Sequence, residues 1–208
     1  HLKEIFKLVR AKGGICVSDE IQTGFGRVGN RFWAFENHEI IPDICTLGKP
    51  MGNGYPISAV ITTREIADSF NNGMEYFNSL GGTPVSLAAG NAVLEVIENE
   101  KLQNNSLIVG NYLKSKLDGL KNKYPDKIIE VRGEGLFLGI DLVKNGDPNF
   151  PDEGLANFII NYCKKLGLLM STDGPKNNVL KIKPPIIIKQ NEADFLIDSI
   201  DRSFSAYK

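Results

Sequence analysis

Asp19, Gln22 and Lys49 are the residues whose types and order in this sequence invite chemistry, with a hydroxyl at Ser79 and a guanidinium at Arg132 further on. Asp19 follows the apolar run at 15–17, and Lys49 follows the run at 42–47, about thirty residues later. Each run reads as a short buried strand, so a carboxylate and a primary amine are delivered at two strand ends. Such a pair suits a cationic heterocycle held between them. The acid keeps a ring nitrogen protonated, and the amine condenses with an aldehyde.

The same stretch also carries a competing pattern. Gly24, Gly26 and Gly29 spell G-x-G-x-x-G, the glycine spacing of a dinucleotide-binding turn. That turn requires a strand running straight into the first glycine, a helix opening at the last, and an acid ending the next strand. Here Asp19 and Gln22 intervene before Gly24, the bulky Phe32 and Trp33 follow Gly29, and Asp43 precedes its strand. The glycines are therefore expected to permit a tight irregular loop, with Trp33 and Phe35 serving packing.

The elements that must position these groups can be followed along the chain. Leu2, Ile5, Phe6, Leu8 and Val9 form a helical stripe ended by Gly13-Gly14. After the glycine loop, residues 32–35 suggest a short helix, 57–63 a third strand, and 64–70 a helix. Thr83-Pro84 reads as an N-cap and first helical position of a longer helix, and Thr83 is expected to cap it. A helix over 106–123 precedes two strands around Gly133 and Gly135. A helix and strand then share 153–170, a further strand occupies 179–188, and a closing helix covers 192–207. This is an α/β fold with a mixed, mostly parallel sheet, followed by a smaller α+β domain. The expected boundaries are 1–105 and 106–208.

Composition narrows the classes. The chain has 208 residues, 24 basic against 25 acidic, so no basic field points to nucleic acid or to an anionic membrane. No apolar run is long enough to span a bilayer. The three cysteines, Cys16, Cys45 and Cys163, are far apart and suit free thiols in a reducing, cytoplasmic setting. With two histidines, no metal site is expected.

The segments "SDEIQTGFGR", "LGKPMGNGYP" and "SLGGTPVS", in that order, resemble the class III (ω-amino acid) aminotransferases among the fold-type I enzymes dependent on pyridoxal 5′-phosphate. The resemblance runs over essentially the whole chain and to the C-terminal half of that family. It implies that Asp19 pairs with the ring nitrogen, that Gln22 hydrogen-bonds the ring hydroxyl, and that Lys49 forms the Schiff base and carries protons. Ser79 would bind the cofactor phosphate of a partner subunit, at a position where Thr is common. Thr83 stands where Asn is common. "VRGEG" implies that Arg132 grips a substrate carboxylate, for which a bidentate guanidinium is suited.

The stretch 168–188 resembles the branch containing ethanolamine-phosphate phospho-lyases and alanine–glyoxylate-like aminotransferases. The resemblance implies an aminotransferase using an amino donor and a carbonyl acceptor, or a phospho-lyase acting on phosphoethanolamine-like substrates. The visible residues do not separate the two, since Arg132 suits a carboxylate or a phosphate. A cofactor-free binding protein of the same fold is the reading of another class, and the intact Asp19, Gln22 and Lys49 weigh against it. His1 opens inside a helix that feeds a strand. The chain is therefore expected to be part of a longer enzyme, and the resemblance implies that the intact enzyme is a homodimer and that the isolated piece is inactive.

Overall fold

The computed structural model describes residues 1–207. The chain divides into two compact units, His1–Gln103 and Asn104–Lys208.

In the first unit, helix α1 (Leu2–Ala11) precedes a three-stranded sheet of β1 (Val17–Asp19), β2 (Ile44–Leu47) and β3 (Ala59–Thr62), in that spatial order. β1 and β2 run parallel, with Asp19 opposite Thr46, and β3 joins β2 antiparallel. The sheet is therefore mixed, built largely from β-branched residues that suit a pleated surface. Helix α2 (Arg64–Phe70) is capped by Thr63, whose Oγ1 accepts from the Ile66 amide at 3.4 Å. Helix α3 (Pro84–Asn99) opens with Thr83 at the N-cap and proline at its first position, as its sequence predicts. The Thr83 hydroxyl makes no backbone cap and instead meets Ser86 Oγ at 2.7 Å.

The expected burial of these strands fails in part. Ile15 and Val17, read as a buried run, are each more than half exposed, as are Val60 and Ile61 of β3. α1 buries none of its residues, and Leu8 on its apolar stripe is also largely exposed. Apolar strands of this type are made to be covered on both faces. Among the described residues, none covers these positions.

The second unit is closed around its own core. Helix α4 (Leu102–Lys123) leads into β4 (Ile128–Glu134), β5 (Phe137–Lys144) and β6 (Asp147–Pro151). Helix α5 (Glu153–Lys165), β7 (Ser171–Asp173), β8 (Val179–Ile182) and helix α6 (Gln190–Ala206) complete it. The sheet order is β4-β5-β8-β7, all antiparallel, with β6 paired to β5 off that path. The strand expected within 153–170 begins only at Ser171, and the one expected over 179–188 ends at Ile182, before Pro184-Pro185. Proline lacks the amide that a ladder needs. Helix α5 is capped by Asp152, which accepts from the Leu155 amide at 2.9 Å, and it buries Leu155, Ala156, Ile159 and Cys163 on one stripe. These pack with Leu113, Leu117, Ile140, Leu180, Ile200 and Phe204 in a single apolar cluster.

Two tests follow from this packing. A Cβ on Gly110 of α4 would stand 2.3 Å from the Gly135 carbonyl oxygen and 2.5 Å from its Cα. Backbone cannot swing aside as a side chain does, so Gly110→Ala is expected to cost about 2 kcal/mol or more in urea unfolding. Burial also pushes the Cys163 thiol up to about 11, a Ser203 hydrogen bond opposing it. The folded value lies above the unfolded value of about 8.5, so this contribution is complete below that pH and is lost as pH climbs toward the folded value. Unfolding midpoints should fall on the alkaline side more steeply in the wild type than in Cys163→Ala.

Candidate active site

The parallel pairing of β1 with β2 brings two chemical groups to one end of the sheet. Asp19 is the last residue of β1, and Lys49 lies three residues beyond its register partner Thr46 on β2. Both residues therefore leave the sheet at the carboxyl ends of adjacent parallel strands.

Asp19 is held from two sides. Its Oδ1 accepts from the Ile21 amide at 3.0 Å and from Thr46 Oγ1 at 3.3 Å, so its orientation is tied to the turn that follows and to the neighbouring strand. The residue nevertheless stays exposed. Gln22 follows in the same turn, half-buried.

Lys49 opens a 3-10 turn over Lys49–Gly52. It adopts φ 40°, a left-handed conformation that costs a residue with a Cβ about 1–3 kcal/mol. Its side chain is exposed, and among the described residues its ammonium has no hydrogen-bond or ion-pair partner. The turn is fixed instead by close packing. Gly52 is so near Ile57 that a Cβ would stand 2.6 Å from Ile57 Cγ2, and Gly90 of α3 sits against Ile57 and the Met51 carbonyl. Ser86 of α3 donates to the Pro56 carbonyl at 3.2 Å. A strained lysine on a well-packed turn is the kind of outlier that collects at reactive positions.

The glycine loop is explained without a nucleotide. After Gly29 the chain bends through Asn30 to Trp33, and the first helical residues are the 3-10 turn Ala34–His38. Gly24 has no room for a side chain: a Cβ would stand 2.9 Å from both the Glu20 carbonyl and the Trp33 ring. Gly26, at φ 74°, is pressed against Gln103. Phe25, Phe32 and Trp33 make mutual edge-to-face contacts with centroids 4.7–5.7 Å apart, confirming the packing role of Trp33. Asp43, the other apparent nucleotide ligand, is bound to Arg10 and to the Cys16 amide, and the Arg10 guanidinium foremost lowers its pKa.

Sequence reasoning passed over one residue here. Glu20 turns inward, 1% exposed, and its carboxylate accepts four hydrogen bonds. Its signal was available in the strand alternation, which points Glu20 to the face opposite Asp19. Cys45, buried on the neighbouring strand, has its thiol pKa raised by burial first, then by the charges of Glu20 and Asp19.

Ser79 lies exposed in the irregular segment before α3, whose N-terminus is led by Gly81-Gly82. In the second unit, Arg132 on β4 donates from Nη1 to Asp141 and to Glu130, each at 2.8 Å. These carboxylates, Asp141 foremost, raise its pKa and keep it charged. Arg132, Gly139 and Lys181 form one row across β4, β5 and β8. Gly139 contributes no side chain between the two cations, and the row lines a cleft of about 370 Å³. Lys181 is paired there with Asp173 at 2.7 Å.

A family model described as aminotransferase class-III matches residues 1–204. An alanine–glyoxylate aminotransferase 2-like protein of Drosophila melanogaster is 47% identical over 196 residues, which cover 93% of this chain and 40% of the fly protein. Ethanolamine-phosphate phospho-lyase homolog 1 of Caenorhabditis elegans is 42% identical over 205 residues, covering 97% of this chain and 44% of that protein. Among solved structures, a phospholyase from Arthrobacter in complex with phosphoethanolamine matches with TM-score 0.95 and 37% identity, over 100% of this chain and 49% of that one. The chain thus spans less than half the length of these relatives, and its fold is that of the fold-type I family over its whole length.

The strain at Lys49 can be measured. Asparagine tolerates the left-handed region better than alanine, so Lys49→Asn is expected to be more stable than Lys49→Ala by up to about 1 kcal/mol in thermal unfolding. Equal midpoints would mean that the turn relaxes and stores nothing.

Proposed function

Because this chain belongs to the class-III aminotransferases, we propose that it carries the lysine and acid of a pyridoxal 5′-phosphate enzyme that transfers the amino group of an amine or amino acid to a carbonyl acceptor. The observation that carries this reading is the placement of Asp19 and Lys49 at one end of two adjacent parallel strands. The donor set fits the cofactor: a fixed carboxylate for a ring nitrogen, and a primary amine, unpaired among the described residues, for an aldehyde. When bound, the cofactor supplies an electron-poor ring that takes up the electron pair left when a bond at the substrate's amine-bearing carbon breaks.

The chain's own residues divide the remaining work. Asp19 holds a proton on the ring nitrogen, and its two hydrogen bonds keep the carboxylate aimed as charge develops. Lys49 would hold the cofactor's aldehyde carbon, and its amine would carry the proton from and back to the substrate's amine-bearing carbon. Gln22 would bond the ring hydroxyl, and Ser79 would bind the cofactor phosphate of a partner subunit. Arg132 orients an anionic group of the substrate, held charged meanwhile by Asp141 and Glu130. The same reading includes a homodimer, which the exposed Met74, Tyr76, Phe77 and Leu80 beside Ser79 support. It also assigns 1–105 to the cofactor-binding large domain and 106–208 to the small domain.

A second reading, elimination of phosphate from a phosphoethanolamine-like amine, is favoured by the likeness to the Arthrobacter phospholyase. The experiment separates the readings in the full-length protein supplied with pyridoxal phosphate. A lysine-dependent visible absorbance band is expected, lost in Lys49→Ala together with about 10²–10⁴-fold of turnover. Amino transfer from an ordinary amino donor would establish the transaminase. Inorganic phosphate released from phosphoethanolamine would establish the lyase. Identical spectra for wild type and variant would leave the cofactor-free binding protein.

A further inference from the structure

We propose that Glu20 is a positioning residue for Asp19: its buried carboxylate locks the strand end and the following loop so that Asp19 keeps its aim at the cofactor ring. This rests on the pyridoxal phosphate reading above and deepens it.

Glu20 is the residue next to Asp19, and the two carboxylates leave the backbone on opposite faces. Asp19 is exposed, whereas Glu20 is 1% exposed. A carboxylate taken out of water is tolerated only where its lone pairs are bonded. Here Oε1 accepts from Ser18 Oγ and the Phe35 amide, each at 3.0 Å. Oε2 accepts from Thr23 Oγ1 at 3.0 Å and from the Ala34 amide at 2.9 Å. The donors come from the strand before Glu20, the turn after it, and the far end of the glycine loop. One side chain therefore closes the loop from 23 to 35 onto the strand end.

The backbone of Glu20 is held as firmly. Its amide donates to the Thr46 carbonyl at 3.0 Å, carrying the parallel pairing one residue past β1, and its carbonyl accepts from the Gly24 amide at 3.0 Å. With both peptide groups and the side chain of Glu20 fixed, the Cα of Asp19 cannot rotate without breaking several of these bonds. Among the described residues Asp19 has two side-chain bonds, to the Ile21 amide in that turn and to Thr46 Oγ1 on the neighbouring strand, and both require the strand end to stay in place. Glutamine cannot replace the carboxylate. It offers one acceptor oxygen, so one of the two backbone amides, Ala34 or Phe35, would face an NH₂ group instead.

The test is a double-mutant cycle on the full-length protein, reading pyridoxal phosphate affinity by absorbance and the stability of the cofactor-free protein by thermal unfolding. Glu20→Gln is expected to weaken cofactor binding about tenfold, equivalent to about 1.4 kcal/mol. In the Asp19→Asn background the same change should weaken it by no more than about twofold, because a residue that acts through Asp19 has nothing left to position. Loss that simply multiplies with that of Asp19→Asn, or unchanged affinity in Glu20→Gln, would overturn the proposal. If Glu20→Gln does not fold, Thr23→Val, which removes one donor, takes its place in the cycle and must show the same non-additive loss on a smaller scale. A wild type that binds no pyridoxal phosphate would overturn the cofactor reading itself, and this proposal with it.

Discussion

The parallel register that sets Asp19 opposite Thr46 is the constraint on which the candidate site depends. Two parallel strands release their following residues at the same end of the sheet, whereas an antiparallel pair would send them to opposite ends. A fixed carboxylate and an amine unpaired among the described residues therefore face one region, although about thirty residues separate them in sequence. A single-residue slip would turn Asp19 to the face that Glu20 now occupies and bury the wrong acid. The four hydrogen bonds at Glu20 and the pairing of its amide with Thr46 oppose that slip.

Around this register the loops are held by close approach. Gly24 and Gly26 admit the Trp33 ring and the Gln103 side chain, and Gly52 and Gly90 admit Ile57. The turn carrying Lys49 is thereby kept in a left-handed conformation that the lysine would not choose alone. The second unit stands on a different basis, a closed apolar cluster under an antiparallel sheet, and it presents Arg132 with its charge supported by Asp141 and Glu130.

Much of this is legible in the residues themselves. Thr63 before 64–70 and Thr83-Pro84 before the long helix mark element starts by local chemistry, and the structure begins helices at those places. Periodicity reveals the strands on both sides of the loop within a residue or two. Strand β6 escapes this reading because Asp147, Pro148 and Asn149 carry no alternation. Its signal was Asn145-Gly146, both left-handed, as a tight hairpin requires. The exposure of Ile15 and Val17 could not be read either, because apolar residues state a need for cover and not whether this chain meets it. Asp19 and Lys49 stand out by type and order. Glu20 does not, because its importance lies in four donors spread over residues 18–35 that only folding brings together.

The most direct measurement of the central claim is chemical. The full-length protein, mixed with pyridoxal phosphate and reduced with borohydride, would have any carbon–nitrogen double bond between cofactor and lysine fixed as a stable amine, which peptide mass analysis can locate. The account requires the added mass on the peptide containing Lys49, and its strong reduction in Asp19→Asn under limiting cofactor. Added mass spread over other lysines, or none retained, would contradict the pairing of Asp19 and Lys49 as a cofactor site.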